Sequence, residues 1–251
     1  MRYFIHLSYN GANFCGWQIQ PNEPSVQQGL EKALMHILKE NISLTGCGRT
    51  DTGVHAKSYY AHFDFEEMSI EELKQLRFRL NNYFAYDIRI ISILKVKNDA
   101  HARFDAISRT YKYYIATQKQ PFNNEFSYFF PRLLNVEIMN KACEKLLTYT
   151  DFTSFSKLHT QVNNNNCTIF FASWEVKNEM LVFTIKANRF LRNMVRSIVG
   201  TMIEVGLEKI SVEEFCKIIE QKNRSLAGVS VLAKALFLYE VEYEKGIFLE
   251  I

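Results

Sequence analysis

The 251-residue chain has no C-x-x-C pair, and its five cysteines, Cys15, Cys47, Cys143, Cys167 and Cys216, are scattered and odd in number. That usage indicates neither a disulfide framework nor a zinc site, and it reads as reduced thiols in a cytoplasmic protein. Uninterrupted apolar runs of membrane-spanning length are missing, and residues 2–9 alternate from the start, so neither secretion nor membrane insertion is expected. An excess of one charge is missing too. Lys and Arg total 30 against 27 for Asp and Glu, a net of +3, too mild for composition alone to indicate a nucleic-acid partner. Any RNA partner has to be argued from where the positive charges lie. No long disordered linker interrupts the chain, which is long enough to bury a full core.

What is present is hydrophobic periodicity. Residues 3–9 alternate as a strand, and Gly11, Gly16, Pro21 and Pro24 mark the connection after it. Ser25 and Gln28 have capping-box spacing, and Val26, Leu30, Ala33, Leu34, Ile37 and Leu38 recur on one helical face. Residues 58–65 read as a strand, Ser69 with Glu72 opens a second helix through Leu80, and 88–96 is a β-branched strand. The order then recurs, with strand 108–117, helix 135–147, strands 168–176 and 180–187, and helix 191–205. Ser211 with Glu214 caps a further helix, and 237–243 closes as a strand. Two successive β-α-β-β-α-β patterns, without a residue-level repeat, predict an α+β chain of two ferredoxin-like halves, 1–105 and 106–251. Their antiparallel sheets would carry helices on one face and leave the other for a ligand. The polar run 163–166 reads as a mobile loop.

One stretch looks like a built site. Gly46-Cys47-Gly48-Arg49-Thr50-Asp51-Thr52-Gly53-Val54-His55-Ala56 sets three glycines, a carboxylate and a guanidinium in one loop, so Asp51 can be presented on a sharply turned backbone. A cation beside a carboxylate favours its charged form, which suits a nucleophile better than a general acid. An Asx-turn that merely organises the loop is the bland alternative for an isolated Asp-Thr-Gly. His55 reads as a structural histidine that fixes the loop.

Two further segments carry candidate binding groups. Residues 103–114 interleave aromatics with Arg103, Arg109 and Lys112, the pairing that single-stranded nucleic acid uses. Tyr111 and Tyr113 share one strand face, and an aromatic core strand is the plain alternative. On the predicted helix 191–205 and the residues before it, Arg189, Arg192 and Arg196 fall on one face, with Leu191, Met194, Val195, Ile198 and Met202 on the other. For Arg189 and Arg192 a solvated basic face is the competing reading.

These motifs, in this order, resemble the tRNA pseudouridine synthase A family. The likeness runs through the Gly-Arg-Thr-Asp-x-Gly-Val-His loop, the His-Ala-Arg-Phe and Arg-x-Tyr-x-Tyr segments, Asp151-Phe152-Thr153-Ser154-Phe155, and Met194-Val195-Arg196-Ser197-Ile198-Val199-Gly200. The resemblance implies that Asp51 is the nucleophile, attacking a target uridine at C6 of the base or C1′ of the sugar. It implies that Tyr111 contacts the flipped base and that Arg196 lies beside the aspartate in a central cleft; Arg49 or Arg196 would be its ion-pair partner. Tyr113 is assigned to the core, and Asp151 to Phe155 to a supporting packed turn. The substrate would be the anticodon arm of tRNA, held by a homodimer, and a redox-neutral isomerisation calls for no cofactor and no metal. The chain departs from the family's pattern at Asn163-Asn164-Asn165-Asn166-Cys167, where an arginine is usual, at Ala233-Lys234-Ala235-Leu236, and at Phe84-Ala85-Tyr86-Asp87-Ile88. A non-catalytic RNA-binding module of the same fold is the alternative. An aspartic protease built on Asp51-Thr52-Gly53 is disfavoured, because Arg49 would work against a shared proton between two carboxylates.

Overall fold

Alternation, caps and periodic apolar faces become secondary structure within a few residues of where the sequence predicts them; the strand expected from residue 58 begins at His55. The computed structural model describes residues 1–157 and 164–249, and the expected loop residue Asn163 lies outside them. Two compact units are present: Met1–Ile107 together with Leu238–Ile251, and Ser108–Phe237. Against the expected halves, 1–105 and 106–251, the first unit also holds 106–107 and the C-terminal residues from 238 onward.

The first unit contains β1 (Arg2–Tyr9), α1 (Val26–Leu38), β2 (Thr45–Gly46), β3 (His55–Asp64), α2 (Ile70–Tyr83) and β4 (Ile88–Val96). Its sheet runs β4-β1-β3, with β2 also on β3, and every one of these pairings is antiparallel. Tyr3, Ile5, Leu7 and Tyr9 of β1 are buried, as is the stripe Val26, Leu30, Ala33 and Leu34 of α1. Each Ile, Leu or Val among them contributes about 1.5–3 kcal/mol when fully buried. At the start of α2 both halves of the capping box form between Ser69 and Glu72, satisfying N–H groups that the helix itself cannot. At α1 Ser25 accepts from the Gln28 N–H.

The second unit contains β5 (Ala106–Ala116), most of which lies within it, β6 (Tyr128–Phe129), α3 (Val136–Leu146), β7 (Ile169–Lys177), β8 (Met180–Ala187), α4 (Met194–Gly206) and α5 (Val212–Glu220). β8 pairs antiparallel with β5 on one side and β7 on the other, and β6 adds to β5 in parallel. The boundary between the units falls within β9 (Leu236–Tyr243), whose residues from Leu238 belong to the first unit. The result is the mainly antiparallel α+β architecture that the element order predicts.

Two local expectations change. α4 begins at Met194 rather than residue 191, because Asn193 adopts a left-handed conformation (φ 66°) and its amide donates to Ser230 Oγ at 2.5 Å. The asparagine run, read as a mobile loop, is tied down at its described end: the Asn165 carbonyl accepts the Phe152 N–H at 3.1 Å and Asn166 bridges to Asp151. The five cysteines are free thiols, three of them buried. No helix among the described residues is long and apolar enough to cross a membrane.

The first unit also stores a pH dependence. His62 on β3 is buried and its Nδ1 accepts the Ala102 N–H at 3.1 Å; burial, reinforced by the Arg2 cation, holds its pKa down to about 4 from an ordinary 6.5. Burial does the same to His6, also to about 4. A depressed folded-state value means that the native state binds fewer protons than the unfolded chain between those limits. Stability is therefore fully present above pH 6.5 and is lost as pH falls from 6.5 toward 4. Urea unfolding across that window should show the decline, and His62→Asn, which keeps an acceptor near Nδ1, should make it shallower by about 1–2 kcal/mol, solvent screening holding it below the full value of the shift.

Candidate active site

The aspartate loop follows from how β2 and β3 are joined. Thr45 and Gly46 pair with His62 and Ala61, and the Cys47 N–H extends the ladder to the Tyr60 carbonyl at 2.7 Å. The chain then leaves the sheet under a clamp of Trp17 stacked on Tyr59, rings 4.1 Å apart, with the Tyr59 hydroxyl donating to the Gly48 carbonyl. Thr50 Oγ1 shares a hydrogen bond with Tyr9 Oη at 2.9 Å. A turn closes over the aspartate, the Val54 N–H donating to the Asp51 carbonyl at 3.1 Å. Gly53 supplies the positive φ of that turn (77°), and its N–H donates to the Phe14 carbonyl at 3.3 Å. From the other side Gly16, at φ 84°, lies so close that a Cβ there would stand 2.2 Å from the Thr50 carbonyl oxygen.

Asp51 is thereby held half-buried on a backbone fixed on both flanks, whereas Arg49 is exposed. Among the described residues, Arg49 makes no hydrogen bond or ion pair. His55 is buried and its Nδ1 accepts the Gly11 N–H at 3.0 Å, so it pins the loop to the connection after β1.

In the second unit, β5 carries Arg109 and Tyr111 opposite Ala187 and Ile185 of β8. Arg109 donates to the Asn188 carbonyl at 2.8 Å, and the half-buried Tyr111 ring meets Phe190 edge to face at 5.1 Å. Tyr113 is fully buried, donates to the Leu232 carbonyl at 2.9 Å, and has its phenol pushed far above the ordinary value by that burial.

The helix start at Met194 leaves Arg189 and Arg192 in the irregular segment before α4, not on a helical face with Arg196. α4 is buried on nearly all sides rather than on one, with Arg196 a half-buried exception. That arginine is held by a chain segment lying along the helix: its Nε donates to the Val231 carbonyl at 2.7 Å, and the Val231 N–H donates back to the Arg196 carbonyl at 3.2 Å. The segment can approach because α4 is small there. A Cβ on Gly200 would stand 1.9 Å from the Val229 carbonyl oxygen, and the Gly228 N–H donates to Thr201 Oγ1 at 2.9 Å. Sequence reasoning passed over Phe190, Ser230 and Val231. Phe190 had a signal, an aromatic among arginines; Val231 acts through its backbone and had none.

A family model described as tRNA pseudouridine synthase matches residues 142–244. The tRNA pseudouridine synthase A of Parabacteroides distasonis is 53% identical over 247 residues, covering 98% of each chain. That of Bacteroides fragilis is 52% identical over 248 residues, again 98% of each. The chain belongs to the tRNA pseudouridine synthase A family. A more distant relative of the same name from Borrelia duttonii is 40% identical over 240 residues, 95% of this chain and 97% of its own. As a member of the tRNA pseudouridine synthase A family, the chain carries the pseudouridine synthase fold. The family model's span includes Arg189, Arg192 and Arg196; Asp51, Arg103, Arg109 and Tyr111 fall in the stretch that only the full-length relatives cover.

The 151–155 segment is a packed turn, as its family likeness implies. Phe152 and Phe155 are fully buried, Asp151 Oδ1 accepts from the Thr153 N–H and hydroxyl at 3.0 and 2.6 Å, and Ser154 Oγ donates to the Ile218 carbonyl at 2.5 Å. Arg103 is exposed on the turn before β5. Among the described residues, no group of three or more His, Cys, Asp or Glu side chains is placed to hold a metal ion.

The backbone contact at Gly16 makes a test. A Cβ at Gly16 meets a backbone oxygen that cannot swing aside, and its φ disfavours any side chain, so Gly16→Ala should cost about 1–3 kcal/mol and disturb the aspartate loop. At Gly48 an added Cβ would meet nothing within 4 Å, and Gly48→Ala should melt within a degree or two of wild type, about 0.5 kcal/mol. Thermal unfolding of the two variants checks the contrast.

Proposed function

We propose that this chain converts uridine to pseudouridine in the anticodon stem-loop of tRNA, with Asp51 as nucleophile. The observation that carries the reading is the end-to-end likeness at 53% identity to an enzyme named tRNA pseudouridine synthase A. Support for Asp51 comes from its loop, where glycine-backed contacts fix the carboxylate without burying it. The reaction attacks C6 of the base or C1′ of the sugar, breaks the N1–C1′ bond, turns the base and joins C5 to C1′. A proton leaves C5 and one is gained at N1, so atoms and electrons balance without an external redox partner.

Tyr111 is assigned to the target base, its ring supported by Phe190 and its face partly open. Arg196, oriented through Val231, is assigned to the aspartate's charge, and Arg49, exposed in this structure, to the same charge or to a phosphate once RNA is bound. Arg103, Arg109, Arg189 and Arg192 are assigned to the RNA backbone, where cations add affinity that falls with salt. The halves 1–105 and 106–251 stand as the proposed ferredoxin-like repeats. A homodimer in the cytoplasm is the proposed form, because one chain is small beside a tRNA.

Pseudouridine mapping of unmodified tRNA transcripts tests the reading. Wild-type protein, without added cofactor or metal, should give product confined to the anticodon arm. Asp51→Ala should lose at least about 10⁴-fold in rate while retaining tRNA binding within a few-fold. Equal loss of binding and activity would make Asp51 structural, and no product from folded wild-type protein on several tRNAs would leave an RNA-binding module.

A further inference from the structure

Residues 101–105 form a turn that the first unit holds from three sides. The Arg2 guanidinium donates to the Ala100 carbonyl at 3.0 Å, His62 Nδ1 accepts the Ala102 N–H at 3.1 Å, and the Tyr243 hydroxyl donates to the Ala102 carbonyl at 2.5 Å. Inside the turn, His101 Nδ1 accepts the N–H groups of Arg103 and Phe104 at 3.1 and 3.3 Å. Asp105 accepts the His101 N–H at 2.7 Å and gives its own N–H to the His101 carbonyl at 3.1 Å. The backbone is therefore fixed, and what it displays is an apolar ring. Phe104 is 73% exposed, while Ala102 two residues earlier is fully buried.

Left in water, that ring forgoes the roughly 1.5–3 kcal/mol that burial of a phenylalanine contributes. The fold gains little from it. Beside it lie the His101 ring, 4.2 Å away between centroids, and the Arg103 guanidinium, 5.6 Å from the Phe104 centroid. A rigid exposed ring with a guanidinium at its side suits a nucleotide: the ring accepts the face of an unpaired base, and the cation meets the phosphate next to it. A protein partner fits less well. One ring between the exposed charges of Arg103 and Asp105 is far short of the roughly 800 Å² per partner of a stable interface.

We propose that Phe104, with Arg103 beside it, is a stacking platform for an unpaired base of the RNA substrate, distinct from the contact assigned to Tyr111. The proposal rests on the reading that this chain acts on tRNA. It makes Phe104 a positioning residue that holds the RNA while chemistry occurs elsewhere.

The test separates stacking from simple bulk. Phe104→Leu keeps an apolar side chain of similar size without a π face, and should weaken tRNA binding by about tenfold, with kcat/KM falling in parallel. Phe104→Tyr should stay within about twofold of wild type. Phe104→Trp supplies a direct readout, since the native tryptophans Trp17 and Trp174 are both buried. Its added exposed emission should be quenched by a tRNA transcript or a short single-stranded oligouridylate, and not by a fully paired RNA duplex. Wild-type binding and turnover by Phe104→Leu, or unchanged emission at saturating tRNA, would overturn the platform. A shift of Phe104→Leu to a smaller species in sedimentation, with RNA binding intact, would also overturn it, because the ring would then seal a contact between copies. If wild-type protein makes no pseudouridine yet the emission is quenched, the catalytic reading falls and the platform stands.

Discussion

Backbone lying against backbone is the constraint on which the aspartate loop depends. At Gly16 the chain passes so near the carbonyl of Thr50, and the backbone of Asp51 directly after it, that no side chain fits between them. A carboxylate acts as a nucleophile only if its approach is set before substrate arrives, because each ångström of misplacement costs rate. Side-chain packing alone sets a loop loosely. Two strands of backbone in contact, flanked by the Tyr9–Thr50 hydrogen bond and the His55 pin, set it tightly.

The second unit applies the same device to its arginine. The chain from Gly228 to Val231 lies along α4 where Gly200 and Thr201 leave room, and the Val231 carbonyl fixes Arg196 Nε. A guanidinium has five donors in a rigid fork, so committing one nitrogen to a carbonyl orients the others without neutralising the charge. Asn193 contributes from the helix start, its left-handed backbone turning the chain onto the helix axis and its amide reaching Ser230. The burial of α4 follows from its own apolar residues, Met194, Val195, Ile198, Val199 and Met202 among them, and Arg196 sits half-buried on that helix.

Much of this was legible beforehand. The serines at 25, 69 and 211 mark three helix starts because a hydroxyl that can accept from the third N–H is a local interaction, encoded within four residues. The alternation of β1 and the β-branched run of β4 were equally local. The arginine face was misread for a physical reason: helical spacing continues backward through 189–193 on paper, while Asn193 is one of the few residues that can adopt a positive φ at small cost. Its choice was made by Ser230, distant in sequence. The asparagine run failed in the opposite sense, since polar composition suggested mobility and the packed turn at Asp151–Phe155 tied its described end in place.

By itself the sequence determined the order of elements, the loop that carries Asp51, the membership of a family and the residue types available for chemistry. These follow from short-range periodicity, caps and motif spacing, which one strand of text records in full. Tertiary structure alone decided that Gly16 presses on Thr50, that Val231 orients Arg196, that Phe190 backs Tyr111 and that Phe104 is displayed rather than buried. Each of those depends on a backbone carbonyl, an edge-on ring or an exposure created by residues far along the chain, and a backbone carbonyl has the same letter-free identity at every position in a sequence.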